Sequence, residues 1–233
     1  MVVDMDVPSE SAASAPRTTG FVGLDRLLGG GLAAGHTYGF LDTFGYPSQA
    51  LFETIADHWI ERGAQVLFVG APSIAQVLER RMKPADRRAE RYQNVAGTVV
   101  QLDPEVLGWR GLLERLPRLL NDADLVLVDE PMWIPARDEE PVIRDLAGLA
   151  ERHNRAMLIC SSGEFLVSGT PGWVCRDGQQ AARFQAIRKG VGTTLVSEDS
   201  PLEHEAFWLA LARGAEEARI RFELLPGLRV AQV

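Results

Sequence analysis

Lysine is nearly missing from this chain: of its 24 basic residues only Lys83 and Lys189 are lysines, and the rest are arginines. Chemistry that needs a lysine at one particular place therefore has two residues to draw on. Cysteine is as scarce. Cys160 and Cys175 cannot build a disulfide framework or, by themselves, a zinc site, and they read as buried thiols. No run approaches the roughly 18 uncharged apolar residues that a membrane helix needs, so no membrane span is expected. The opening residues place Asp4, Asp6 and Glu10 before any base. That start lacks the basic leader and apolar stretch of a signal peptide, and residues 1–17 read as a short disordered tail on a cytoplasmic protein. Positive charge is also in deficit, with a net charge of −8. A broad cationic face for nucleic acid is thereby argued against, which leaves DNA contact at most weak and local.

What is present is ordinary globular material. The chain has 233 residues, 46% hydrophobic and 24% charged, with 22 Gly and 13 Pro. That excludes a mostly disordered, collagenous or coiled-coil protein and is enough to bury one sizeable α/β core. Residues 18–233 show no repeat and no linker, and read as a single domain.

Short buried strands are expected at Thr37 to Leu41, Val66 to Val69, Thr98 to Leu102, Leu125 to Val128 and Ala156 to Cys160. Between them lie helical stripes. Leu51, Ile55 and Trp59 recur every four residues and stop near Gly63. Ser73 can cap a helix carrying Ile74, Val77 and Leu78. Trp109, Leu112, Leu116 and Leu120 form a third stripe, expected to bend at Pro117. Val142, Ile143, Leu146 and Leu149 form a fourth. Strands alternating with helices mean crossover units and a mostly parallel sheet flanked by helices. After Ser162 the rhythm changes. Trp173 to Cys175, Arg183 to Arg188 and Thr193 to Ser197 read as shorter strands, Pro201 to Ala215 as a helix, and Arg219 to Leu224 as a closing strand, giving an antiparallel C-terminal extension.

These segments resemble the RecA-like ATPases, in the branch that holds the DnaB-type replicative helicases, RadA and KaiC. The likeness rests on Thr19-Gly20-Phe21, Leu24-Asp25-Arg26 and Gly30-Gly31-Leu32 with Gly35 before the first strand. It continues through Val66-Leu67-Phe68-Val69 with Leu78 and Arg81. Leu125-Val126-Leu127-Val128-Asp129-Glu130 resembles a Walker B strand, and Arg188-Lys189-Gly190 before Thr193-Thr194-Leu195-Val196 resembles the branch's basic hairpin. The resemblance implies a RecA-like fold, with ATP and Mg²⁺ as the cofactors of a working member.

The departures concern the phosphate site. A phosphate loop works because glycines let backbone N–H groups wrap the phosphates, a lysine meets the β/γ charge, and a Ser/Thr hydroxyl holds Mg²⁺. The corresponding stretch here is Asp42-Thr43-Phe44-Gly45-Tyr46-Pro47-Ser48-Gln49. Only Gly45 survives. Pro47 replaces a glycine and has no N–H to donate. Ser48 stands in the lysine position and Gln49 in that of the metal hydroxyl, while Asp42 brings a charge of the wrong sign. Pro72 occupies the position of the glutamate that orients water in the helicases, and Ser162 replaces a glutamine. Losing cradle, metal ligand and base together removes nearly everything that supports phosphoryl transfer. No catalytic residue is expected and no cofactor either, Asp129 and Glu130 being vestigial.

Five residues in three places keep alternatives open. Asp129 and Glu130, at the C-terminal end of a core strand, are either a residual metal ligand pair or inherited carboxylates satisfied by loop N–H groups. Arg188 and Lys189 either reach a neighbouring subunit's nucleotide, as the resemblance implies, or form a solvated hairpin tip. Trp133 is core cover or an anchor for a partner. His36, His58, His153 and His204 are scattered without ligand spacing, so no metal site is expected. The expectation is a non-catalytic RecA-like pseudo-ATPase working through protein contacts in DNA replication, repair or recombination. Its partner would be an ATP-binding RecA-like relative or a further copy of itself. An ATP-dependent enzyme with an unorthodox loop and a nucleotide-independent DNA-binding module are the rivals.

Overall fold

The computed structural model describes residues 15–42, 47–70, 99–102, 104–129, 134–162, 165–167, 173–175, 178–199, 206–211, 219–225 and 229–232. Its strands are β1 (Thr37–Asp42), β2 (Val66–Val69), β3 (Val99–Leu102), β4 (Leu125–Asp129), β5 (Ala156–Ser162), β6 (Phe165–Val167), β7 (Trp173–Cys175), β8 (Thr193–Asp199), β9 (Ala206–Leu211), β10 (Arg219–Leu225) and β11 (Arg229–Gln232). Its helices are α1 (Val22–Leu27), α2 (Pro47–Ile60), α3 (Pro104–Leu120), α4 (Glu139–Arg152) and α5 (Gly178–Gly190), with a 3-10 turn at Ala136–Asp138 before α4.

Nine described strands share one sheet in the order β11-β10-β9-β8-β1-β5-β4-β2-β3. The pairs from β3 across to β8 are parallel, and β8/β9, β9/β10 and β10/β11 are antiparallel. β6 and β7 form a separate two-stranded ribbon. The central strands are almost wholly apolar because both faces of the sheet are covered, so each strand needs a hydrophobic residue at every position. Alternation then sorts the residues. Leu125 and Leu127 join Phe40, Phe52 and Trp59 on the face under α1 and α2. Val126 and Val128 join Leu116, Leu146 and Ile187 on the face under α3, α4 and α5.

The chain enters through a strap that the sequence reading had placed in the tail. Arg17 exchanges backbone hydrogen bonds with Leu32 (2.9 and 2.8 Å) and pairs with Asp124 at 3.1 Å. Its guanidinium lies 5.4 Å from the Trp59 ring centroid, and Trp59 Nε1 donates to the Thr18 carbonyl at 2.9 Å. Gly31 opposes this strap at φ 115°, and a Cβ there would run into the Arg17 carbonyl. Arg17 therefore belongs to the fold; residues 1–14 lie outside the described residues.

Three further segments differ from the sequence reading. Arg183 to Arg188 is part of helix α5, because Gln, Ala and Arg, all strong helix formers, fill residues 179–183. Its buried side is Arg183, Phe184, Ala186 and Ile187, which is helical spacing, with only Phe184 and Ala186 alternating. Ala206–Leu211 is a strand, not helical, and pairs on both edges with β8 and β10. In α3 the non-helical residue is Gly108 (φ 66°, ψ 161°), while Pro117 sits inside the helix. Among the described residues no helix is long and apolar enough to cross a membrane. The helix expected from Ser73, and Lys83, lie outside the described residues.

Candidate functional site

In an open parallel sheet, ligands bind beyond the carboxyl ends of the strands. Here that edge carries Asp42 at the end of β1, Asp129 at the end of β4 and Ser197 on β8. Asp42 aligns with Ser162 on β5, and Asp129 with Cys160. By alternation Asp42, Asp129 and Ser197 continue the rows of Phe40, Leu127 and Leu195, so all three stand on the α2 face. Asp129 is half-buried, and Gly70 at the end of β2 lies against its Cβ.

Asp42 is tied into the sheet. It is fully buried, and the Ser197 hydroxyl donates to its Oδ1 at 3.0 Å, tying β1 to β8. Ser197 had no signal in the sequence. It lies 155 residues from Asp42 and meets it only because β8 is the strand beside β1.

Helix α2 begins at Pro47, so Ser48 and Gln49 are its second and third residues. Proline suits a first helical position because its fixed φ is helical and its missing N–H would be unpaired there anyway. The same feature deletes one of the N–H groups that a helix N-terminus offers to an anion. Gly45, Pro72, Glu130 and Trp133 lie outside the described residues.

Arg188 and Lys189 are both exposed, but they end helix α5 rather than cap a hairpin. Successive helical residues are about 100° apart, so the two side chains leave on different flanks. Lys189 Nζ stands 3.6 Å from Glu140 Oε2, and Arg144 Nη2 donates to Glu140 Oε1 at 2.8 Å. These are exposed pairs, worth little in stability, but they turn Lys189 toward α4. Lys189 is thus held by a carboxylate of its own chain.

A buried ion pair, unforeseen from the sequence, joins the same two helices. Arg183 Nε donates to Glu139 Oε1 at 2.9 Å, with the side chains 10% and 2% exposed. Glu139 Oε2 is buried, and among the described residues none hydrogen-bonds it. Burial pushes the Glu139 carboxyl above its ordinary range, and the Arg183 guanidinium opposes that rise. Glu139 sits in an acidic run that reads as solvated, so no local pattern marks it.

Of the histidines, His36, His58 and His153 are described. Among the described residues no group of three or more His, Cys, Asp or Glu could hold a metal ion. His58 accepts a hydrogen bond at Nδ1 from Arg62 Nη1 (2.8 Å), and its buried Nε2 has no partner among the described residues. Burial and the Arg62 charge hold its pKa below the usual value, against the weaker pull of Asp25 and Glu61. A lowered folded-state pKa means that the unfolded chain binds the proton better, so stability is lost as pH falls through the ordinary histidine range. Urea unfolding midpoints should drop more between pH 7 and pH 5.5 for the wild type than for His58→Gln. Equal drops would remove His58 from the acid response.

The strand order, the two helical layers and the strap define a RecA-like fold. The solved structure titled as the RadB recombinase is similar over most of both molecules, with a TM-score of 0.61, 17% sequence identity, and cover of 89% of this chain and 96% of that one. At that identity the likeness concerns the fold. No family model and no curated protein matches the sequence.

Proposed function

We propose that this chain is a RecA-like pseudo-ATPase: a single domain over residues 18–233 with Arg17 joined to it, cytoplasmic, that acts through protein contacts and not through hydrolysis of its own. The observation that carries the reading is the start of α2, where Pro47, Ser48 and Gln49 stand in place of the phosphate-binding glycine, lysine and hydroxyl. Two structural features support it. Lys189 leans on Glu140, and Asp42 puts a buried carboxylate at the end of β1. The fold shared with a RadB recombinase favours a setting in DNA recombination, repair or replication. The partner would be an ATP-hydrolysing RecA-like relative, or a further copy of this chain, meeting the exposed end of α5 at Arg188 with Trp133 as a second candidate contact.

Asp129 favours a second reading. A half-buried carboxylate on the α2 face of the sheet's ligand-binding edge suits a Mg²⁺ ligand in an ATP-dependent enzyme. The two readings part on a rescue experiment. Ser48→Lys combined with Gln49→Thr restores the two missing side chains but leaves Pro47 without an N–H and Pro72 without a base. We expect the double variant to show no Mg²⁺-dependent ATP turnover. Measurable turnover would mean that the loop is one or two side chains from function, and the pseudo-ATPase reading would fail.

A further inference from the structure

We propose that the Glu139–Arg183 pair is a latch that fixes the placement of helix α5 on α4, and with it the exposed end of α5 that carries Arg188. Only the use made of Arg188 rests on the pseudo-ATPase reading; the latch itself does not.

Helix α5 follows the isolated β6/β7 ribbon and is held to the sheet by Phe184, Ala186 and Ile187. Apolar contacts of that kind are non-directional, so they set how deep a helix sits and leave its rotation and sliding weakly defined. Depth is set at two glycines. A Cβ on Gly39 of β1 would lie 2.6 Å from Ile187 Cγ2, and one on Gly190 would lie 2.6 Å from Ile143 Cγ2. The only described contact between α4 and α5 that is both buried and directional is the single N–H donated by Arg183 to Glu139.

The energetics fit a positioning role better than a stabilising one. Burying two ions costs desolvation that their attraction offsets only when hydrogen bonding is complete, and apolar replacements of such pairs are often as stable. Here one carboxylate oxygen takes the Arg183 Nε–H, and among the described residues none bonds the other, which is buried. A one-bond contact is easier to open than a two-bond fork. The location gives opening a consequence. Glu139 begins α4, ten residues after Asp129 ends β4, and Arg183 lies five residues before Arg188 on one rigid helix. Release of Glu139 would free the Arg188 end.

The test is amide hydrogen exchange on the full chain, read across residues 178–190, for Glu139→Gln and for the double variant Glu139→Leu with Arg183→Met. Glu139→Gln should raise exchange in α5 by on the order of tenfold, since the ion pair is lost and the buried Arg183 charge is left facing a neutral amide, while β1, β4 and β5 keep wild-type protection. The double variant should unfold in urea at or above the wild-type midpoint, yet still exchange faster than wild type in α5. Wild-type protection of α5 in Glu139→Gln, or its full recovery in the double variant, would overturn the latch. If Glu139→Gln does not fold, the double variant alone decides. Neither nucleotide nor partner enters the measurement, so its failure would leave the pseudo-ATPase reading standing, and the reverse.

Discussion

Arg188→Ala in this chain should lower the turnover of an ATP-hydrolysing RecA-like relative assembled with it by on the order of 10³. A guanidinium supplied in trans acts on charge that develops in the transition state, so its removal shows in kcat far more than in assembly. The geometry separates Arg188 from its neighbour. Lys189 is engaged with Glu140 on the α4 flank, whereas Arg188 leaves α5 about 100° away. Lys189→Ala should therefore change turnover little, and the two substitutions together should do no more than Arg188→Ala alone. Steady-state ATP turnover of the mixed assembly, with assembly followed by sedimentation, checks this. Unchanged turnover in Arg188→Ala would leave the end of α5 a solvated helix terminus, and the contact would next be sought at Trp133.

Phe40→Ala should destabilise the chain by about 3–5 kcal/mol. Phe40 is wholly buried in β1 and faces Phe52 of α2, with ring centroids 6.3 Å apart. Truncation would leave a cavity between the central strand and the helix that starts at Pro47. Neither element can close it cheaply, because β1 is paired on both edges and α2 is fixed by Ile55 and Trp59. Urea unfolding measures the loss. A cost under about 1 kcal/mol would mean that α2 can shift toward the sheet, and the geometry drawn for the Pro47 end would then be unsafe.

The parts of the fold that were legible in the sequence are those whose apolar pattern has one solution. Leu125 to Val128 is a run of four buried residues too short for a helix, and it is β4. Val142, Ile143, Leu146 and Leu149 recur at helical spacing over about two turns and are the buried face of α4. Where windows were short the period was ambiguous. Ala206 to Leu211 is apolar throughout and is a strand because β8 and β10 pair with it on either side. Arg183 to Arg188 went the other way, a helix whose buried arginine is compensated by a residue 44 positions earlier. The site divides along the same line. Pro47, Ser48, Gln49 and Asp129 are local features and could be read directly. The Asp42–Ser197 and Glu139–Arg183 contacts are products of strand order and helix packing, so no window of sequence contains them.

Steady-state turnover of the purified protein with ATP and Mg²⁺, beside Asp129→Asn, separates a pseudo-ATPase from a working enzyme. The account predicts no Mg²⁺-dependent turnover from the wild type and the same blank from the variant. Mg²⁺-dependent turnover in the wild type that Asp129→Asn abolishes would contradict it, and would make Asp129 the metal ligand of a working enzyme.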